Sequence, residues 1–291
     1  MRTLIAALSL ITLASSADAQ IKKPPLSPRS VVTQQIGLGE MTIDYGRPSV
    51  RGRRIFGELE VFGAVWRTGA NACTTITFGE DAEVGGQQVK AGKYGLYTIP
   101  RADEWTIILS SQNDLWGAGG YDPARDVARF DVEVEALGTV HETLSIEMQG
   151  FHANGADMTI AWERTRVRFP VRVDSDTRVL QEIDEKVRKA KGEVSPRTYF
   201  DAGMYLYEKR ENLDEAEAWI DRAVELRPSA WWQAYYKAEL AHHLGKHEKA
   251  MAAARAALEG AEASPQGDFG YAARARVLIA RIAEGMSGDD R

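Results

Sequence analysis

The chain has 291 residues, of which 44% are hydrophobic and 27% are charged, and its formal net charge at pH 7 is −6. This length is sufficient for two domains with separate cores, and the composition is that of a folded protein. The negative charge argues against a general nucleic-acid-binding protein, because contacts to phosphates need a basic face.

The first nineteen residues are typical of a secretory signal peptide. Arg2 supplies a positive start, an apolar run extends from Leu4 to Ala14, and Ala17-Asp18-Ala19 offers the small-x-small pattern that signal peptidase cleaves. The apolar run is too short to span a bilayer comfortably, and no cysteine follows it that could carry a lipid anchor. We therefore expect cleavage after residue 19, no membrane anchor after cleavage, and a periplasmic or secreted product.

A β-rich domain is predicted next. Residues 20–30 contain three prolines and predict an extended lead-in. From 31 to 173 the hydrophobic period is that of strands, as in the two-residue alternation of 40–45. Gly85-Gly86 predicts a tight hairpin between two short strands. Further strands are expected at 73–78, 94–99, 105–109, 130–134, 144–148, 158–162 and 167–173. About ten short strands predict an antiparallel β-sandwich or barrel-like domain.

The period then changes to that of helices. Residues 174–194 predict a connecting helix, and residues 195–291 predict an all-α domain. Ala216 and Ala223 recur 34 residues later as Ala250 and Ala257, which is the period of tetratricopeptide repeats (TPR). Small residues at these positions would let paired helices approach closely. The first helix of each pair departs from the usual pattern, so an irregular stack of helical hairpins is the alternative to TPR-like repeats.

An arginine-rich stretch is the densest group of functional side chains. Five arginines stand between positions 47 and 67 against two glutamates, a local charge of +3. The planar guanidinium suits carboxylate, phosphate or sulfate groups. Gly69 and Asn71 tolerate left-handed conformations, so their loop could point N–H groups at a ligand. One interpretation is a surface for a small anionic or sugar-like ligand, with candidate residues Tyr45, Arg47, Arg53, Trp66, Arg67 and Asn71. The other is that the arginines brace the strands.

Several segments of the β-rich region resemble a bacterial family of exported proteins. They are RPSVRGRRIFG, VWRTGANACTTITF, GGQQVKAGKYGLYTIP, EWTIIL and WGAGGYDPARDVARF, in this order. The resemblance covers roughly residues 24–173, and the hexapeptide WRTGAN (66–71) is its most specific mark. The family is described as a domain of unknown function, and its members often carry helical repeats after the β domain. The resemblance therefore implies a domain and transfers no catalytic residue.

The remaining reactive side chains predict neither a metal site nor a cofactor. Cys73 alternates with Thr75 and Thr77 on a predicted strand and is interpreted as a buried filler. His243 and His247 have the i, i+4 spacing of helical zinc ligands, but Gly245 should end the helix between them. The aspartates of 113–126 are expected to cap turns rather than to bind a cation. The sequence contains no nucleophile elbow, phosphate loop or dinucleotide fingerprint.

Two functions remain open at this point. TPR-like repeats stack into a concave surface that holds peptides or partner proteins, and the candidate contact residues are Tyr207, Trp231, Trp232 and Tyr235. Adjacent tryptophans cannot both face inward on one helix, so one of them is a candidate anchor. An exported binding protein of the bacterial envelope is the preferred hypothesis. The alternative is an envelope hydrolase of glycans or esters with its site around the WRTGAN loop, although no catalytic motif is present.

Overall fold

A computed structural model describes residues 23–288. The predicted signal peptide lies outside the described residues. Contacts divide the chain into a β unit that ends at Ser175 and a helical unit that begins at Asp176. In the described part of the chain, no helix has the length and apolar character needed to cross a membrane.

The described residues of the β unit form nine strands in a single antiparallel sheet. They are β1 (Arg29–Ile36), β2 (Gly39–Gly46), β3 (Thr74–Phe78), β4 (Ala82–Val84), β5 (Gln87–Val89), β6 (Gly92–Pro100), β7 (Glu104–Ser110), β8 (Asp126–His152) and β9 (Gly155–Val173). The spatial order is β1-β2-β3-β6-β7-β8-β9-β4-β5. Buried residues of β2, β3 and β7 share one core with those of β4, β8 and β9. The sheet therefore folds over on itself, as in the predicted sandwich.

The last two strands differ from the prediction of four short ones. Residues 126–152 form one strand that pairs with β7 in its first part and with β9 from Val134 onward. The register of β8 against β9 shifts at several bulges, and Glu163 in β9 has a left-handed φ of 57°. Between 135 and 143 almost every side chain is exposed or half-buried on both faces. Hydrophobic alternation reports one-sided burial, so it disappears there although residues 126–152 form one strand.

The predicted glycine hairpin is confirmed. Gly85 and Gly86 have φ of 56° and 83° and join β4 to β5. The two strands pair next to the turn through Val84 and Gln87. Both glycines are in the left-handed region, which is the requirement of the tight turn that matches strand twist. A Cβ on Gly85 would also lie 2.3 Å from the Phe130 ring.

The helical unit forms six α-helices up to residue 288. They are α1 (Ser175–Ile183), α2 (Pro196–Lys209), α3 (Leu213–Leu226), α4 (Trp231–His243), α5 (His247–Glu262) and α6 (Tyr271–Gly288), with a π-helical turn at Asp184–Arg188. Ser195 caps α2, because its side chain accepts a hydrogen bond from the Thr198 N–H, and Pro196 occupies the first helical position. Arg188 on the π-helical turn donates to both carboxylate oxygens of Glu215 on α3, at 3.0 and 2.6 Å.

The repeated small residues lie where the helices cross. Ala216, Ala223, Ala250 and Ala257 are all fully buried, in the cores between α2 and α3 and between α4 and α5. Gly203 on α2 faces α3 so closely that a Cβ would lie 2.7 Å from Ile220. Short side chains at these positions permit the tight antiparallel pairs, which confirms the physical basis of the predicted repeat.

Candidate functional site

Three of the four arginines of the 47–54 segment donate to backbone carbonyls, and the fourth, Arg54, pairs with Glu58 at 3.7 Å. Arg47 Nε contacts the Leu144 carbonyl at 3.0 Å, and the Arg51 guanidinium contacts the Leu26 carbonyl at 2.7 Å. Arg53 reaches back to the carbonyls of its own turn at positions 50 and 49, at 3.0 and 2.7 Å. These bonds tie the irregular segment after β2 to β8 and to the lead-in. Such hydrogen bonds are those expected if the arginines brace the strands, which is the second interpretation of the sequence.

Trp66, the first residue of the WRTGAN motif, lies in the core. It is 3% exposed and its indole Nε1 donates to the Gly69 carbonyl at 3.2 Å. Its ring stacks on Trp162 and meets Trp105 edge to face at 6.0 Å. Trp66 therefore anchors the start of the motif in the core, and this fixes the position at which the following loop begins.

The left-handed residues of this loop are Thr68 and Asn71, with φ of 54° and 68°. Of the two residues said to tolerate this conformation, Asn71 adopts it and Gly69 does not. Gly69 is required for a different reason, since a Cβ there would lie 2.8 Å from Thr74 Oγ1 and 3.1 Å from the Gly46 carbonyl. A β-branched residue in the left-handed region is strained. Thr68 is fully buried, and its carbonyl accepts from Thr74 Oγ1 at 2.7 Å, which helps to hold the strained turn.

Glu60 lies beside two of the candidate arginines. Burial raises the pKa of its carboxyl group to about 7, and the nearby guanidinium groups of Arg67 and Arg53 partly oppose this rise. Arg67 Nε is buried and has no hydrogen-bond partner among the described residues. The sequence pointed to the arginines but missed this carboxylate, because Glu60 is seven positions from Arg67 in an irregular segment without periodicity.

A cleft of about 400 Å³ opens beside the end of the WRTGAN loop. Of the six predicted ligand residues, Tyr45 and Asn71 line this cleft. Tyr45 is 3% exposed, and its hydroxyl oxygen accepts from the Ile146 N–H at 3.0 Å. The polar and aromatic residues around the opening are Arg29, Asp44, Lys93, Asn113 and Trp116, together with Asn71. The sequence did not single out Lys93 or Trp116 as ligand residues, since they stand 23 residues apart on β6 and in a loop.

Cys73 and the 113–126 loop have the structural roles expected of them. Cys73 is 5% exposed, packs against Tyr97 and Ile108, and forms part of the cleft wall. Asp122 caps the 3-10 turn Pro123–Arg125, because its carboxylate accepts from the Ala124 N–H at 3.0 Å. The Asp126 carboxylate accepts from the Tyr121 hydroxyl at 2.7 Å. The described residues contain no group of three or more His, Cys, Asp or Glu side chains placed to hold a metal ion.

The histidine pair near the α4–α5 turn differs from the spacing noted in the sequence. Gly245, with φ of 72°, separates His243 at the end of α4 from His247 at the start of α5. The neighbour of His247 is His242, with ring centroids 5.7 Å apart. Neither ring has a partner for its buried Nδ1 among the described residues. The i, i+4 pair of a helical zinc site is therefore not formed.

The helical unit has a groove between α4 and α6. Its cavity is about 320 Å³ and is lined by Tyr235, Glu239, Ala273, Arg274, Val277, Leu278 and Arg281. Arg274 lies over the Tyr235 ring at 4.4 Å and over the Tyr271 ring at 4.8 Å. The Tyr235 hydroxyl donates to Glu239 Oε1 at 2.6 Å. Burial, reinforced by this bond, raises the pKa of Tyr235 to about 12, so the phenol stays protonated.

The other predicted partner residues lie away from the lining of this groove. Trp231 packs on α5, where a Cβ at Gly260 would lie 2.3 Å from the Trp231 Cβ. Trp232 is half-buried beneath Arg227, with 5.6 Å between the guanidinium carbon and the ring centroid. Tyr207 lies beneath Arg210 at 4.5 Å. Trp231 thus serves helix packing, whereas Trp232 and Tyr207 are covered by arginine side chains.

The comparisons with known proteins agree with this division of the chain. Residues 27–171 match the model of a protein family of unknown function (DUF2911), and residues 196–229 match the tetratricopeptide repeat. The chain therefore carries a DUF2911 domain followed by a TPR repeat. No curated protein matches the chain. Among solved structures, PcrH from Pseudomonas aeruginosa matches with 15% identity over 38% of this chain and 77% of its own, at a TM-score of 0.31.

Proposed function

We propose that the chain is an exported binding protein of the bacterial envelope whose helical repeats hold a segment of a protein partner. The groove between α4 and α6 is the observation that carries this proposal. α4 is the first helix of the second hairpin and α6 packs against both α4 and α5, and stacks of helical repeats form concave binding surfaces. The match of residues 196–229 to a TPR supports the same reading.

The groove favours an acidic partner segment. The groove is lined by two arginines, Arg274 and Arg281, and by one carboxylate, Glu239. This carboxylate accepts a hydrogen bond from the Tyr235 hydroxyl. The local charge of the groove is therefore +1 in a chain of net charge −6. Val277, 53% exposed, adds an apolar contact beside the arginines. A segment with Asp or Glu next to an apolar side chain would satisfy both features.

Export is supported by the sequence of residues 1–19, with its apolar run and Ala17-Asp18-Ala19 cleavage pattern. In this proposal the β unit faces the same compartment and binds a small anionic or sugar-like ligand. The arginines that first suggested this ligand are committed to backbone carbonyls at Arg47, Arg51 and Arg53. We therefore propose the cleft beside Asn71 as the ligand surface.

Site-specific photocrosslinking tests the groove. A photoreactive residue at Val277 in the full chain should crosslink to a discrete protein in the envelope, whereas one at the exposed Ala252 on α5 should not. Phage-displayed peptides selected on the purified protein should be acidic. Arg281→Glu should abolish their enrichment, and Arg255→Glu, the same charge reversal on an exposed residue of α5, should leave it intact. Equal crosslinking from both positions, or selection of peptides without acidic residues, would overturn the proposal.

The hydrolase alternative has one observation in its favour. Glu60 has a pKa near 7 beside Arg67, and a carboxyl group with a pKa near the working pH can act as a general acid or base. Its test is hydrolysis of chromogenic esters and glycosides between pH 5 and 8. Activity that is lost in Glu60→Gln and kept in Glu58→Gln would support this alternative.

A further inference from the structure

The indole of Trp116 is presented to solvent on a fixed support. It is 78% exposed, more than any other large hydrophobic side chain of the described residues. Its backbone forms an antiparallel bridge with Ala72, and the adjacent Leu115 carbonyl accepts from the Cys73 N–H at 3.0 Å. Single exposed hydrophobic residues are common. Trp116 differs because a β-bridge holds it at the edge of the cleft. The volume of this cleft, about 400 Å³, lies within the usual range of roughly 300–1,000 Å³ for small-molecule sites.

Planar polar groups line the same cleft as the indole. Arg29 Nε donates to Asp44 Oδ1 at 2.6 Å, and its second nitrogen pairs with Oδ2. Asn113 is held by a bond from its Nδ2 to the Lys93 carbonyl at 2.8 Å, and Asn71 lies on the same cleft. An aromatic face bordered by carboxamide, carboxylate and guanidinium groups suits a pyranose ring. The ring offers C–H groups to the indole and pairs of adjacent hydroxyls to the planar groups.

The charge of the cleft selects among saccharides. Arg29 neutralises Asp44, and the hydrogen bond from Arg29 lowers the pKa of that carboxyl group below its usual value. Lys93 is exposed and lies close enough to Asp44 to interact with its charge, although no ion pair joins the two among the described residues. With Arg29, Asp44 and Lys93 counted together, the cleft carries a net charge of +1. A ligand with one carboxylate would complement Lys93, whereas a phosphate dianion would meet the carboxylate of Asp44 as well.

We propose that this cleft binds a saccharide bearing a carboxylate, with a sugar ring against Trp116 and the carboxylate on Lys93. The inference rests on the part of the proposed function that gives the β unit a small ligand, and it is independent of the groove between α4 and α6. It also gives the WRTGAN loop a role in binding, since Thr68 and Gly69 set the turn that places Asn71 on the cleft.

Titration calorimetry on the full chain tests the inference. The probes are galacturonic acid and N-acetylmuramic acid, each with one carboxylate, and galactose and N-acetylglucosamine are the uncharged counterparts. At least one acidic probe should bind, and Trp116→Ala and Lys93→Met should each weaken it by about tenfold or more, the effect of losing about 1.4 kcal/mol. Phe269→Ala is the matched control, because Phe269 is 74% exposed in the helical unit. It should bind as the wild type does.

Three outcomes would overturn the inference: no binding of either acidic probe, equal binding of the uncharged sugars, or binding that Trp116→Ala leaves unchanged. Tighter binding of adenosine monophosphate than of the acidic sugars would assign the cleft to nucleotides instead. Peptide selection on the same Trp116→Ala protein separates this result from the proposed function. If Trp116→Ala loses sugar binding but still enriches acidic peptides, the defect is confined to the cleft. If the peptide selection fails on the wild type, the proposed groove function is contradicted while the sugar measurement still tests the cleft.

Discussion

Trp66 and Trp162 are stacked in the core of the β unit, with ring centroids 5.8 Å apart and planes inclined by 18°. Trp66 lies before β3 and Trp162 lies in β9, so this contact joins the WRTGAN loop to the far side of the folded sheet. Phe56 meets both rings edge to face, at 6.0 Å from each. The loop that ends at the cleft is therefore anchored by its aromatic residue, and Asn71, which lines the cleft, follows this anchor by five positions.

This anchoring predicts a large stability effect at Trp66. Trp66→Ala should lower the free energy of unfolding of the β unit by about 3–5 kcal/mol, because it removes a buried aromatic side chain and leaves a cavity. Urea unfolding followed by circular dichroism measures this. Trp116→Ala is the control with the same change of residue at an exposed position, and it should stay within about 0.5 kcal/mol of the wild type. Equal unfolding midpoints for the two variants would contradict the core placement of Trp66.

A second prediction concerns the crossing of α2 and α3 at Gly203. Replacing a helical glycine by alanine normally stabilises a helix by about 1 kcal/mol. At Gly203 the new Cβ would lie 2.7 Å from Ile220 and 2.9 Å from the Ala216 carbonyl. Gly203→Ala should therefore lower the melting temperature of the helical unit, with a cost of about 1–3 kcal/mol from overpacking. Gly192→Ala, where a Cβ meets nothing within 4 Å, should leave it unchanged or raise it. A higher melting temperature for Gly203→Ala would contradict this prediction, because it would mean that α2 and α3 can move apart without a loss of stability.

A third prediction follows from Glu60, whose pKa rises from 4.5 to about 7 on folding, chiefly through burial. The unfolded chain ionises first as the pH increases, so the folded state loses stability between about pH 4.5 and 7. Glu60→Gln should remove this loss and should be more stable than the wild type above pH 7. Unfolding free energies measured across this range test the sign. Glu58→Gln, at an exposed neighbour 3.7 Å from Arg54, should keep the wild-type pH profile. A profile of Glu60→Gln parallel to that of the wild type would refute the shift.

A fourth prediction concerns the charge network between α3 and α5. Lys249 Nζ contacts Glu217 at 2.7 Å and also pairs with Asp221, and Lys246 pairs with Glu217. Burial alone would raise the pKa of Glu217, but the hydrogen bonds from the two lysines outweigh it, and the pKa falls below 4.5. The stabilisation is therefore present above about pH 4.5 and is lost as the pH falls through the lowered value.

Glu217→Gln should accordingly destabilise the helical unit at pH 7 by about 1–2 kcal/mol, and the difference from the wild type should shrink in acid. Thermal unfolding between pH 3 and 7 follows the change. Glu248→Gln on the exposed first turn of α5 is the control and should match the wild type throughout. A Glu217→Gln defect that persists at pH 3 would have to come from packing rather than from charge.

Sequence periodicity was a good guide where a contact is local. Gly85-Gly86 required left-handed turns, and the alanines at 216 and 250 marked close helix crossings, because backbone sterics act within a few residues. It failed in β8, since residues 135–143 carry no burial signal although they belong to the strand. It also gave no sign of the left-handed conformation that Thr68 takes in the WRTGAN loop. The tight space at Gly69 is set by Gly46 on another strand.

By itself, the sequence determined the two fold classes, the position of the change from strands to helices and the repeat of the helical unit, because period and residue size are local properties. Only the tertiary structure decided which side chains meet: Asn71 and Trp116 on one cleft, Glu60 beside Arg67, Arg274 over Tyr235. Asn71 meets Trp116 through the pairing of Ala72 with Trp116, and Arg274 meets Tyr235 through the packing of α4 on α6. Such contacts depend on strand order and helix stacking, which hydrophobic spacing along the chain does not encode.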